Sequence, residues 1–212
     1  MSRAMVAGIV LAGGASSRFG SDKLAAELDG RPLLHHALEA LATLADPVIL
    51  VLAPDAPVPP LPDGAEDRII VARDATAFGG PLAGLSAGLQ VVEGLESHNG
   101  GPGLVLVAGG DMPSLSPLVL RILAAALSSD ASLVAMTLGA SGPKPAPLPM
   151  AIRPEPADQA ITAILASGGR RSLLALLDAV PSGTVPESAW RSLDPDGATL
   201  RDVDTRDDLP RG

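Results

Sequence analysis

Five short, mostly apolar runs recur along the chain, at residues 5–12, 47–53, 68–72, 103–108 and 131–137. Runs of this length without polar alternation mark strands covered on both faces, as parallel strands must be. Helix-forming segments lie between them. Pro32 opens one whose Leu34, Leu38, Leu41 and Leu44 share a face. Pro81 opens a second, with Leu82, Leu85, Leu89 and Val92 on one side and Gly84 and Gly88 four apart on another. Those glycines permit close backbone approach. Residues 97–102 read as the turn that follows. Ser116-Pro117 supplies an N-cap and a proline at the first helical position, with Leu118, Ile122 and Leu123 expected to face inward. This alternation of strand and helix specifies a three-layer α/β/α architecture around a mostly parallel central sheet. Beyond residue 137 the pattern is less regular. Residues 143–149 are dense in proline, 156–167 and 171–179 read as helices, and a short strand is expected at 200–204.

Composition narrows the chemistry. Aromatic residues are 1% of the chain, namely Phe19, Phe78 and Trp190, so the core must be aliphatic and base-stacking platforms are excluded. The net charge of −9 argues against a nucleic-acid groove, which needs a basic footprint. It does not oppose a small anion, which one or two local cations can hold. With no cysteine there is no disulfide framework, thiolate metal site or thiol nucleophile. No apolar run approaches the roughly 18 residues of a membrane span. Arg3, the apolar stretch 4–12 and the small residues 13–17 follow the order of a signal peptide. The stretch is read instead as an uncleaved central strand delivering a working loop, which places the protein in the cytoplasm.

Ligands of open α/β sheets bind outside the carboxyl ends of the strands. Each of the three loops of unusual composition follows a strand. The first is Leu11-Ala12-Gly13-Gly14-Ala15-Ser16-Ser17-Arg18-Phe19-Gly20-Ser21-Asp22-Lys23. Small residues let backbone N–H groups approach a polyphosphate, and Arg18 and Lys23 supply positive charge. The string is neither a dinucleotide fingerprint nor a Walker loop, since Ser21 follows Gly20 where a lysine is needed. The second loop holds Asp74 and Phe78-Gly79-Gly80-Pro81-Leu82-Ala83-Gly84. The third is Gly109-Gly110-Asp111-Met112-Pro113. An aspartate fixed between glycines and a proline suits Mg2+, which takes one or two carboxylates plus substrate phosphates and water. His35, His36 and His98 lack ligand spacing, and Ser16 and Ser17 have no histidine base in reach. Arg170-Arg171 reads as the start of a helix that an acceptor phosphate could also use.

At these residues the chain resembles the molybdenum cofactor guanylyltransferase group of nucleotidyltransferases. The string 11–23 is similar to the family signature. Asp74 with Gly80-Pro81-Leu82-Ala83-Gly84 resembles its second segment, Asp111-Met112-Pro113 its metal-binding aspartate, and Val203-Asp204-Thr205 with Asp208-Leu209 its C-terminal element. The resemblance implies a Rossmann-like nucleotidyltransferase fold with GTP and Mg2+ as ligands. It also implies GMP transfer to molybdopterin-bound molybdenum. On this reading Leu11, Ala12, Gly13, Gly14 and Lys23 bind nucleotide with Gly80, Pro81 and Leu82. Asp74 faces the nucleoside, and Asp111 binds nucleotide and Mg2+. The chain departs from the family pattern at Phe19, at Ala53-Pro54, at Asp202 and Asp204 where the family has asparagines, and at Arg206. Gly13-Gly14 with 80–84 looks more like the guanylyl branch than the cytidylyl branch.

The chain is expected to form one domain, with residues 1–140 as the nucleotide-binding half and 141–212 as its acceptor-side continuation. Arg18, Lys23 and Asp111 are the expected catalytic residues. An acceptor phosphate is already an anion, so in-line attack needs positioning and charge neutralisation rather than a strong base. Asp202 or Asp204 could add a carboxylate to the metal site. Two alternatives remain open: transfer from another nucleotide such as CTP or to another phospho-acid, and a non-catalytic nucleotide-binding regulator. Expected partners are small molecules, with no nucleic acid or membrane; a carrier protein is left open.

Overall fold

A computed structural model describes residues 5–13, 23–74, 79–99, 102–140, 146–203 and 208, with backbone alone for 23 and 96–99. In chain order the elements are β1 (Val6–Leu11), β2 (Glu27–Leu28), β3 (Arg31–Pro32), α1 (Leu33–Ala42), β4 (Val48–Leu52), β5 (Ile69–Arg73), α2 (Pro81–Asn99) and β6 (Leu104–Gly109). There follow α3 (Pro117–Ser129), β7 (Ala135–Leu138), β8 (Met150–Ile152), α4 (Pro154–Ala166), α5 (Leu173–Ala179), β9 (Ser182–Val185) and α6 (Glu187–Trp190). A seven-stranded sheet has the order β5-β4-β1-β6-β8-β7-β9, and β2 and β3 form a separate hairpin.

Every pairing in the large sheet is parallel except those of β8, which runs antiparallel to both β6 and β7. β1 lies inside the sheet, registered against β4 from Gly8↔Val48 and against β6 from Val6↔Leu104. Side chains alternate across it. Val10 joins α1 and α3 on one face, while Ala7 and Ile9 join α2, α4 and α5 on the other. The result is the expected three-layer sandwich. Gly88 lets α2 press onto β1: a Cβ there would lie 2.9 Å from Ile9 Cδ1 and 3.2 Å from Val51 Cγ2.

Several local expectations are corrected. α2 continues through Asn99, so residues 97–99 are helix rather than turn. Leu118 is 52% exposed, and α3 buries Val119, Leu120, Leu123 and Leu127 instead. The Ser116 cap itself is as expected: its side chain accepts the Val119 N–H. The fifth strand starts at Ala135, because Asp130 accepts the Ser132 N–H and hydroxyl and turns the chain first. Residues 200–203 are not a strand. A 3-10 turn, Ala198–Leu200, is followed by extended chain outside the sheet. β8, β9 and the β2–β3 hairpin were not foreseen.

Candidate active site

The sheet register brings the glycine loops to one edge. Leu11 is level with Val51 on one side and Gly109 on the other, and Leu52 is level with Arg73. Past these positions the backbone keeps interlocking. Gly110 N–H donates to Leu11 C=O at 3.0 Å, Ala12 N–H to Val51 C=O at 2.9 Å, and Asp74 N–H to Leu52 C=O at 2.9 Å. Leu11, Ala12, Gly13, Asp74 and Asp111 therefore share the carboxyl edge of four parallel strands, where such sheets bind ligands. Gly13 passes close to the chain after β4: a Cβ there would sit 3.4 Å from Ala53 N.

Asp111 is partly buried. Its carboxylate folds back over Gly109, where a Cβ would lie 2.5 Å from Oδ1. Gly110 is equally confined, with Leu34, Leu24 and Ala12 each within 3.5 Å of a Cβ built on it. Leu24 follows Lys23, which begins a 3-10 turn, so the end of the first loop returns beside the Asp111 loop. Gly14, Arg18 and the rest of 14–22 lie outside the described residues, as does the Lys23 side chain.

The second loop meets the first through the start of α2. A Cβ on Gly84 would be 3.7 Å from both Leu11 Cδ2 and Val51 Cγ1. Pro81 is exposed, whereas Leu82 is wholly buried in the core, so only its backbone can face a ligand. Gly80 has φ +80°, and a Cβ on it would be 2.8 Å from Arg171 C=O. That close approach seats the Arg170-Arg171 segment beside the entrance to α2.

The C-terminal segment reaches the same edge. Val203 is buried beside Leu33, and its N–H donates to Asp111 C=O at 2.9 Å. Asp202 is exposed and adjacent in sequence to that bond, while Asp204 lies outside the described residues. Two features were not foreseen. The Arg73 guanidinium lies 2.7–3.1 Å from the carbonyls of Ala53, Pro54 and Ala56, drawing the loop after β4 toward β5. Asp194 and Thr199 are buried polar residues in the same C-terminal segment. Two of the three histidines lie against backbone carbonyls. His35 Nε2 lies 2.9 Å from Pro60 C=O and His36 Nε2 lies 3.0 Å from Leu28 C=O, while the His98 side chain is outside the described set.

Among the described residues no group of three His, Cys, Asp or Glu side chains is arranged to hold a metal. A cation at Asp111 would draw most of its ligands from substrate phosphates and water, which fits the behaviour of Mg2+. No helix among the described residues is long and apolar enough to cross a membrane.

Comparison with known proteins agrees with this geometry. The model of the MobA-like NTP transferase domain matches residues 8–181. The chain is 30% identical over 208 residues to a Mycobacterium marinum protein named probable molybdenum cofactor guanylyltransferase, covering 97% of this chain and 92% of that one. It is 36% identical over 139 residues to the molybdenum cofactor guanylyltransferase of a Bradyrhizobium species, 65% of this chain and 61% of the relative. The chain therefore spans less than two thirds of that relative in the matched region. Among solved structures, molybdopterin-guanine dinucleotide biosynthesis protein A from Archaeoglobus fulgidus matches with TM-score 0.70 and 23% identity, covering 97% of this chain and 95% of that one. A 4-diphosphocytidyl-2C-methyl-D-erythritolsynthase from Anaerococcus prevotii matches with TM-score 0.63 and 16% identity, covering 97% and 93%. At these identities the two structures show the shared fold. The chain belongs to the MobA-like NTP transferase family and is a nucleotidyltransferase.

Proposed function

We propose that this nucleotidyltransferase transfers GMP from GTP to molybdopterin-bound molybdenum cofactor and releases pyrophosphate. The observation that carries the reading is the convergence of Leu11, Ala12, Gly13 and Asp111 on one strand edge, with Gly80 at the helix start beside it. The names of the curated relatives support the choice of base and acceptor.

The backbone of 11–14 approaches the phosphates, a task that only small residues allow. Asp74, at the end of β5, faces the nucleoside. An acceptor phosphate oxygen attacks the α-phosphorus in line, and the bond from that phosphorus to the bridging oxygen of pyrophosphate breaks. Arg18 and Lys23 neutralise the charge growing on pyrophosphate. Asp111 would hold Mg2+, and Asp202 or Asp204 could add a carboxylate. When bound, the ion supplies charge neutralisation at the phosphate oxygens. Arg170 and Arg171 are suited to the acceptor phosphate, because Gly80 draws their segment to the site. On this reading the substrates are small molecules and the cytoplasm is the place of action.

The test is pyrophosphate release from each of four NTPs, with and without the molybdenum cofactor. Release from GTP alone, dependent on that acceptor, is expected. Equal or faster release from CTP would overturn the base assignment. Turnover with a simple phospho-acid but not with molybdenum cofactor would overturn the acceptor. GTP binding without any turnover would favour a regulator.

A further inference from the structure

The loop that carries Asp111 is held from within and from outside. Within it, Met112 N–H donates to Gly109 C=O at 3.3 Å and Gly109 N–H to Met112 Sδ at 3.4 Å, while Met112 and Leu115 are buried in the core. From outside, Gly110 N–H is tied to Leu11 C=O, and two further ties come from residues 194–203. Asp194 is 8% exposed and Thr199 fully buried. The Asp194 carboxylate accepts the N–H groups of Ala198 at 2.9 Å and Thr199 at 2.8 Å. The Thr199 hydroxyl oxygen accepts the Ser116 N–H at 3.1 Å. Four residues later Val203 N–H donates to Asp111 C=O. The turn 194–200 is thus bonded to the far end of the 109–116 loop, and residue 203 to its near end.

Burial pushes the Asp194 carboxyl up, but the bonds from Thr199 and Ala198 outweigh it and hold the group below its ordinary value. The buried charge is stable because every bond it accepts favours the ionised form. Both side chains are buried and bonded to the 194–200 turn or to Ser116 N–H, so neither is placed to touch substrate.

We propose that Asp194 and Thr199 are positioning residues: their clamp fixes the 109–116 loop and with it the direction of the Asp111 carboxylate. The proposal rests on the role assigned above to Asp111.

Thr199→Val keeps the volume and removes the hydroxyl, while Thr199→Ser keeps the hydroxyl. Amide hydrogen exchange is measured on both variants without ligand, together with kcat and KM for GTP over a range of Mg2+ concentrations. In the Val variant, exchange at 110–116 is expected to accelerate roughly tenfold, with β1 and β4 unchanged. Its kcat should fall while KM for GTP stays near wild type, the signature of lost transition-state alignment. Thr199→Ser should restore both. Unchanged exchange in the loop would overturn the clamp. So would acceleration spread evenly over the sheet, which is global destabilisation. Faster loop exchange with undiminished kcat would overturn the positioning role. If the wild-type protein does not turn over GTP, the functional reading fails on that control, and the exchange comparison still decides the clamp.

Discussion

Gly109 and Asp111 are coupled through empty space: a methyl group at position 109 would lie 2.5 Å from the Asp111 Oδ1 atom. Gly109 does not have a left-handed backbone, so alanine is conformationally allowed there. The cost of Gly109→Ala should therefore fall on the direction of the carboxylate rather than on the fold. A displacement near 1 Å at a reacting site can lower rate by about 10²-fold. We expect a drop in kcat approaching that size, with a melting temperature close to wild type. A variant with normal kcat would show that the carboxylate direction is not set by this contact.

Asp111→Asn should remove the charge without changing shape. Loss of one preorganised charge-stabilising group lowers rate by roughly 10²–10³-fold. The residue is only partly buried, so stability should move little. Steady-state turnover with saturating Mg2+, paired with thermal unfolding, checks both halves. Near-wild-type turnover would take Asp111 out of the metal role.

Gly88→Ala sets two effects against each other. Alanine favours helix over glycine by about 1 kcal/mol. The added methyl would meet Ile9 Cδ1 at 2.9 Å, Ile9 Cγ2 at 3.1 Å and Val51 Cγ2 at 3.2 Å. Ile9 and Val51 are buried in the middle of the sheet, and overpacking of such a core costs about 1–3 kcal/mol. Packing should win, giving net destabilisation of roughly 1 kcal/mol in urea unfolding. A midpoint at or above wild type would mean that the α2–β1 contact yields.

Asp158 predicts a pH dependence. Burial, and then the negative charge of Glu93 across the α2–α4 groove, push its carboxyl up, and its Oδ1 atom has no hydrogen-bond partner. A carboxyl raised in the folded state binds its proton more readily folded than unfolded. Stability from this group therefore falls as pH rises from the unfolded value through the folded one, and the loss is complete above it. Asp158→Asn should raise the melting temperature at neutral pH, and the gain should shrink on acidification. A gain that stays constant into acid would assign it to something other than the charge.

How much was legible follows from where the information lies. β1, β4 and β6 are continuous apolar runs because both faces are covered, so local sequence reveals them. Ser116-Pro117 shows its cap for the same reason: the bond closes within three residues. β8 is only Met150–Ile152, and its antiparallel insertion between β6 and β7 depends on partners far along the chain. β9 reads Ser-Gly-Thr-Val at a sheet edge, where exposed positions erase the apolar signal. The apolar Leu200 and Val203 suggested a strand, yet the Val203 N–H goes to the Asp111 loop rather than to a neighbouring strand. Gly13, Gly80 and Asp111 stood out by composition. Asp194 and Thr199 did not, because each looks like an ordinary turn residue until the fold brings Ser116 beside it.

The bonds to Ser116 and Asp111 also separate the sheet from its working edge along the chain. Every strand of the sheet lies at or before Val185, whereas both C-terminal ties to the loop carrying Asp111 come from residues 194–203. A cut between these two stretches would leave all seven strands of the sheet in the chain and remove both ties. The segment that braces the working edge is thus written after the strands that carry that edge, and apart from them.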